Sequence, residues 1–433
     1  ILMIKPGYKR FVKTTKTESK YLIAKLKKAV YGTLLAAILF YKKLKKHLES
    51  NGFEMNPYDL CTFNKMVNGQ QCTIQFHVSD LLISHMDLGV IKDVIDTLNA
   101  EFGGIRKLEP EYGPILDYLG MVIDFSVQGK VMFTMFDYLK DIVVECESRG
   151  WNTEAVWPAH KHLFVVRDDA ANLNDKDTEL FHQTTARLLY AGKQARPDIQ
   201  LAISFLCTRV KSPDVDDMNK LKRVVEYVRT TIFIPLVLGW DKTGNLVWSI
   251  DVLFAGHMDM KSHTGFGLSL GLGAVTSSSL KQKLTASSTT TSELYGIHDG
   301  MPMITWFRLF YMVQVKLIVD DGSIETKAIK RLGKASTILQ DNTSTIQLAK
   351  NGKRSSSKRT RHVEIRYFYV SEEVEKGNIQ ILYCPTKDQW SDFWTKPLQG
   401  ILFQTHRNTI MGITAEQLVE FQTKYNEQKQ NDW

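Results

Sequence analysis

An aspartate in the middle of an apolar run sets the strongest constraint on this chain. Asp251 interrupts Val247–Phe254, a segment that otherwise reads as a buried strand. An ionised carboxylate there is costly unless it is paired or coordinates a metal. Three further acids have contexts that aim at the same point. Glu293 lies in the first turns of a long helix, Asp341 closes the run Ile338-Leu339-Gln340, and Asp392 opens a short helix after Pro385. Singly, Asp341 could cap the helix starting at Thr343, and Asp392 could cap the helix ending near Lys396. Together, converging carboxylates repel one another unless cations lie between them, which implies bound Mg²⁺ or Mn²⁺ and phosphate chemistry.

The order of elements around these acids is an α/β pattern. Strands are expected at 245–254, 264–271 and 274–280, then a helix from about 288 with Leu294, Ile297, Met301 and Ile304 on one stripe. Strand 336–341, helices 343–350 and 358–376, strand 378–384 and a last short helix follow. Upstream, residues 21–53 read as a basic helix ending at Asn51-Gly52. Cys61–Val67 and Cys72–Val78 read as a hairpin through Asn68-Gly69. A turn bearing Asp80 leads into Leu81–Ser84. Helix 89–102, a strand at Tyr118–Phe125, helix 137–146, a connector over 149–178 and helices near 179–193, 197–210 and 215–230 complete the pattern.

With 433 residues, 43% hydrophobic and 24% charged, the chain is long enough for two to four domains and more than one core. Five unclustered cysteines favour reduced thiols over a disulfide framework or a zinc site. The most apolar window, Met301–Val319, is broken by Pro302, Arg308 and Lys316, so no membrane span is expected. The net charge of +8 is uneven, since residues 1–50 hold thirteen Lys/Arg against two acids. A second basic stretch contains Lys350, Lys353, Arg354, Lys358, Arg359 and Arg361 without an acid. One charge run is commonly a solvated face, but two beside a carboxylate site point to a polyanion.

The segments Ser249-Ile-Asp-Val-Leu-Phe-Ala-Gly256, Ser262-His-Thr-Gly265, Lys281-Gln-Lys-Leu284, Ser292-Glu-Leu294, Leu339-Gln-Asp-Asn342, Lys358–Phe368 and Tyr383–Leu398 resemble the ribonuclease H domain of copia-type retrotransposon polyproteins. That resemblance implies that Asp251, Glu293, Asp341 and Asp392 hold two Mg²⁺ or Mn²⁺ ions. It implies hydrolysis of the RNA strand of an RNA–DNA hybrid, with the 350–361 cluster gripping phosphates. Two departures stand out. Thr291 replaces a glutamate common in the family, and Phe266 replaces a second glycine after Thr264-Gly265, which puts strand packing there in question. No histidine occurs between Pro385 and Asp392.

Upstream segments, among them Leu26–Gly32, Asn56-Pro-Tyr-Asp59, His77-Val-Ser-Asp80, Tyr118-Leu-Gly-Met121 and Arg196-Pro-Asp-Ile199, resemble the palm-to-thumb half of copia-type reverse transcriptase. There the family turn carries two aspartates; here the first is Ser79, followed by Asp80. A neutral hydroxyl is a poor ligand for a hard cation. The other palm aspartate of the family precedes Leu26, and residues 1–25 contain none. The polymerase site is therefore expected to be degenerate and inactive.

The expected architecture is an α+β palm/thumb remnant over 1–148, lacking fingers and upstream palm, and a helical connection over 149–242. An α/β ribonuclease H-like domain with a mixed five-stranded sheet over 243–400 and a tail over 401–433 would follow. Residues 419–433 are polar and expected to fray. The resemblance implies RNA–DNA hybrid or other duplex nucleic acid and other retroelement polypeptides as partners. It implies an intracellular setting in cytoplasm, virus-like particle or nucleus. The competing readings are a non-catalytic nucleic-acid-binding remnant and a decayed, barely folded product.

Overall fold

The computed structural model describes residues 12–14, 20–22, 30, 32–104, 106–319, 335–351 and 364–431. The chain divides into two compact units, 1–108 and 109–433. The expected divisions were at 148, 242 and 400.

The first unit begins with the antiparallel pair β1 (Val12–Thr14) and β2 (Lys20–Leu22). Helix α1 (Leu34–Ser50) follows, with Thr33 as its N-cap. The expected helix over 21–53 is therefore shorter than read. Tyr21 and Leu22 pair in β2, and Gly32 sits at φ +86°, outside helical space, just before the cap. Strands β3 (Glu54–Asn56), β4 (Asp59–Val67), β5 (Gln70–His77) and β6 (Asp80–Ser84) form one antiparallel sheet in chain order. The hairpin through Asn68 and Gly69 forms as read, with both residues at positive φ (54° and 75°). Helix α2 (Leu88–Phe102) is capped by Asp87. Leu44 and Leu48 of α1 and Val90, Val94 and Leu98 of α2 share a core with Phe63, Cys72, Ile74 and Phe76 of the sheet. Cys72, Ile74 and Phe76 alternate along β5, as a half-buried strand requires.

The second unit holds two sheets. The first has the order β13-β10-β9-β8-β7, built from β7 (Ile115–Tyr118), β8 (Met121–Asp124), β9 (Lys130–Thr134), β10 (Leu236–Trp240) and β13 (Gly271–Leu272). The single strand expected at Tyr118–Phe125 is instead a β7–β8 hairpin. Leu119 and Gly120, at φ 53° and 73°, form its two-residue turn, which the apolar content of the segment concealed. Helices α3 (Phe136–Glu147), α4 (Asp175–Gln194), α5 (Gln200–Cys207) and α6 (Val215–Thr230) pack beside this sheet.

The second sheet has the order β14-β12-β11-β15-β16, with β11 (Val247–Leu253), β12 (His263–Ser269), β14 (Thr276–Lys281), β15 (Ser336–Gln340) and β16 (Ile379–Tyr383). The first three strands are antiparallel; β15 and β16 join β11 in parallel. This is the expected mixed five-stranded sheet. One face packs on α7 (Thr289–Val319), α8 (Thr343–Asn351) and α9 (Glu364–Glu375), through Trp248, Ile250, Leu294, Ile297, Met301 and Ile304. Phe266 is buried in this same core, so the missing glycine at that position is filled by packing.

The other face receives the 3-10 turn Trp390–Trp394. The Trp394 ring lies where a side chain on Gly267 would stand, 2.5 Å from an ideal Cβ. Trp394, α3 to α6, strand β10 and helix α10 (Gly400–Met411) share one core, which crosses the expected boundaries at 242 and 400. The polar end of the chain is helix α11 (Ala415–Asn431) rather than a frayed tail. Tyr425 places its ring 5.8 Å from Phe136 and 5.7 Å from Phe233. All five cysteines are free. Among the described residues no helix is long and apolar enough to cross a membrane.

A buried polar chain ties the antiparallel edge of the second sheet to the 390–394 turn. Ser279 Oγ donates to the Trp394 carbonyl, so it accepts from His263 Nε2, and His263 Nδ1 accepts from His257 Nε2. The His263 ring is thus neutral, and burial depresses His263 to about 3 and His257 to about 4 from an ordinary 6.5, which favours the neutral form of both. With folded values below unfolded ones, the pair contributes stability above pH 6.5 that is lost as pH falls toward 4 and 3. The expected result is that both imidazoles keep neutral-form NMR shifts at pH 5.5. Titration of either ring near 6.5 in the folded protein would refute this assignment.

Candidate functional site

Strand β11 carries Asp251 into the interior, where it is 2% exposed. Glu293 approaches from the first turns of α7 because Gly296 lets the helix close on the strand. A Cβ there would lie 2.4 Å from Val252 Cγ2. Asp341 follows the last residue of β15, the parallel neighbour of β11, so it emerges toward the same strand ends as Asp251. The capping role open to Asp341 falls to Asn342, whose Oδ1 accepts from the Thr345 amide at 3.0 Å.

Asp251, Glu293 and Asp341 each offer a carboxylate oxygen within 4.8 Å of the others, the only such three-residue group among the described residues. Asp392 is outside this trio but adjoins it through Lys396. The Lys396 ammonium lies 2.9 Å from Asp392 Oδ1 and 3.4 Å from Asp251. The structure therefore brings three of the four expected acids together and links the fourth through a lysine.

The surrounding polar groups orient these acids. Thr395 Oγ1 donates to Asp251 Oδ2, Gln340 Nε2 donates to Glu293 Oε2 at 3.2 Å, and Thr386 Oγ1 donates to Asp341 Oδ2 at 3.0 Å. Gln389 Nε2 donates to the Ile250 and Leu339 carbonyls, pinning the 390–394 turn across β11 and β15. Lys396, Thr395, Gln340, Thr386 and Gln389 had no separate signal in the sequence. Lys396 and Thr395 do lie in the same short segment as Asp392, four and three residues on.

Charge is crowded here. Burial, then the Asp251 charge, holds the Glu293 carboxyl well above the usual carboxylate range. Burial and Asp251 push Asp392 up to about 7. Burial pulls the Lys396 ammonium down, but Asp251 and Asp392 outweigh it and carry the group up to about 12. One ammonium against four carboxylates leaves an excess of negative charge in a low-dielectric setting. An all-oxygen, anionic and partly buried donor set fits a hard divalent cation such as Mg²⁺ or Mn²⁺.

The other expected sites fare differently. Ser79 and Asp80 are exposed, with Val78 and Ser79 forming the turn and Asp80 pairing with His77. Among the described residues no other acids gather with Asp80 into a metal-capable group. Of the expected basic contacts, Lys350 lies in the last turn of α8, whereas Lys353, Arg354, Lys358, Arg359 and Arg361 lie outside the described residues.

Residues 8–159 match the family described as reverse transcriptase (RNA-dependent DNA polymerase). The retrovirus-related Pol polyprotein from transposon TNT 1-94 of Nicotiana tabacum is 23% identical over 387 residues, covering 87% of this chain and 27% of that protein. The corresponding polyprotein from transposon RE2 of Arabidopsis thaliana is 24% identical over 393 residues, covering 90% of this chain and 25% of that one. These matches support a fragment similar to the Pol polyproteins of copia-type retrotransposons. It spans about a quarter of the length of these two relatives. A crystal structure of prototype foamy virus protease–reverse transcriptase covers 88% of this chain and 41% of its own. Its 12% identity and TM-score of 0.23 are too low for a shared fold to be read from it.

Replacing the ammonium would leave Asp251 and Asp392 without their shared cation. Lys396→Met is expected to lower stability at pH 8 by about 1–3 kcal/mol, read from urea unfolding, the scale for stranding a buried polar partner. A midpoint equal to that of the unchanged chain would mean that Lys396 does not compensate the acids.

Proposed function

We propose that residues 243–400 form a ribonuclease H-like module that hydrolyses the RNA strand of RNA–DNA hybrids. The observation that carries this reading is the carboxylate trio Asp251, Glu293 and Asp341, gathered from the central strand β11, helix α7 and the end of β15 in a mixed five-stranded sheet. Asp251, Glu293 and Asp341 would hold divalent ions, with Asp392 completing the set once its carboxylate turns from Lys396. Bound ions of this kind supply an activated water and neutralise charge on the scissile phosphate.

The chain's own groups prepare that chemistry. Thr395, Gln340 and Thr386 each orient one carboxylate, so the donor atoms are set before substrate arrives. Lys396 keeps the crowded acids in one place by offsetting part of their charge. Similarity to reverse transcriptases and Pol polyproteins supports nucleic acid as the partner, and the 350–361 basic run suits backbone phosphates.

The same reading assigns no polymerisation to the turn at 77–80. A site that positions two ions needs anionic ligands, and Ser79 offers a neutral hydroxyl beside the exposed Asp80. Primer extension by this chain on an RNA template is expected to yield no product, and extended primer would overturn this part.

Labelled hybrid incubated with the full chain and Mg²⁺ or Mn²⁺ tests the hydrolysis. The expected outcome is cleavage of the RNA strand only. Asp341→Asn should reduce it about 100-fold or more, the scale for losing one group that stabilises developing charge. Intact RNA with the folded chain, or cleavage undiminished in Asp341→Asn, would remove the proposal.

A further inference from the structure

A second charged feature lies in the same unit, away from the carboxylates. The loop Pro158–Val165 and one face of α6 enclose a cleft of about 530 Å³. From α6 it takes Asp216, Asn219, Lys220 and Arg223, spaced to fall on one side of the helix. The loop adds His160, Lys161 and His162, all exposed. The volume is in the range of a small-ligand site, large enough for a sugar–phosphate unit.

The charges in this cleft do not balance. Arg167 is satisfied by a two-bond pair with Asp169, at 3.1 and 2.8 Å. Lys220 is satisfied by Asp216 at 2.9 Å and by the Val165 carbonyl. Asp216 is the only acid lining the cleft, and it is used. Among the described residues, Lys161 and Arg223 have no ion-pair partner.

Arg223 is the more telling of the two. Its Nε is buried and meets no hydrogen-bond acceptor. The nearby Glu226 carboxylate accepts from Thr153 and lies 3.7 Å from Lys222. A half-buried guanidinium without a paired carboxylate is costly unless an anion joins it from the cleft. Burial accordingly pulls Arg223 below its ordinary value, and burial with the Arg223 charge depresses His160.

The loop is held in place rather than merely apposed. Leu163 and Phe164 are buried, and the Phe164 ring lies 5.0 Å from His257 and 5.2 Å from His263. Gln399, which also lines the cleft, donates to the Ala159 carbonyl at 2.8 Å. Gln399 is three residues beyond Lys396, so one short segment joins the cleft wall to the carboxylate site.

We propose that this cleft binds a backbone phosphate of a nucleic-acid strand, with Lys161 and Arg223 as its cationic ligands. It deepens the proposed hydrolysis, resting on that reading for the identity of the strand. The cleft grips the duplex beside the segment being cut. Contacts of this type give affinity and register without reading sequence.

The test is binding of a fluorescent RNA–DNA hybrid to the full chain in EDTA across a KCl series, so that cleavage plays no part. Lys161→Ala with Arg223→Gln should weaken binding and reduce the log–log salt slope by about one, the scale for one lost phosphate contact. Arg223→Lys should retain most of the slope. Thermal unfolding checks that each variant is folded. If the double variant is unfolded, Lys161→Glu, on an exposed loop, decides by the same slope. A folded variant with unchanged affinity and slope overturns the proposal. Titration with inorganic phosphate and AMP separates the sources. Binding of either, lost in the variant while the hybrid slope stays constant, would assign the cleft to free phosphate and overturn the strand assignment. Failure of cleavage in Mg²⁺ with an intact salt-slope difference would sink the hydrolytic reading alone.

Discussion

Burying the Asp251 carboxylate is the constraint on which the rest of the second unit depends. A charge that is 2% exposed in the middle of a strand must be answered by neighbours. The answer comes from far along the chain: Thr395 and Lys396 reach Asp251 from the segment after the 390–394 turn. That segment must therefore pack on β11, and Ser391 bonds Ser249 at 2.8 Å to seal it there. Glu293 and Asp341 crowd further acids against it rather than relieve it. An arrangement that concentrates carboxylates while supplying one ammonium is poorly explained by stability alone and well explained by cation binding.

The same turn also reaches the helical layer. Trp394 Nε1 donates to the Pro197 carbonyl at 3.0 Å, and Pro197 stands between the partners of a buried ion pair. Arg196 donates from Nε and Nη2 to both oxygens of Asp198, each at 2.8 Å, and Tyr227 also donates to Asp198 at 2.8 Å. With Thr231 accepting from Arg196, this pair is well satisfied, which is the condition under which a buried pair is tolerated. Hence α4 to α6 form part of the same body as the carboxylate site. A connector separate from it would leave Trp394 without its core.

Legibility of the chain followed from how local each signal was. The Asn68-Gly69 hairpin and the α7 stripe of Leu294, Ile297, Met301 and Ile304 were readable because a turn or a helical period is written in adjacent residues. The β7–β8 hairpin was hidden because Leu119 occupies a left-handed turn position that residues of its kind rarely adopt. Strands β9 and β10 went unread, since each is five residues long and gains definition only by pairing with the other. Lys396 illustrates the limit at the site. In the sequence it is one of fifty-five basic residues, and only the fold sets its ammonium between two acids.

By itself the sequence determined that carboxylates of an α/β module converge, because an acid inside an apolar strand and acids at strand ends and helix starts have few other uses. It also determined that Ser79 offers a neutral hydroxyl beside Asp80, since charge is a property of residue type. Tertiary structure decided which acids share one point, that Asp392 is held by Lys396, and that Arg223 faces a cleft without a partner. Those are outcomes of three-dimensional proximity and desolvation. Most of them depend on residues tens of positions apart, up to the 145 between Asp251 and Lys396, and no local pattern in the chain encodes that convergence.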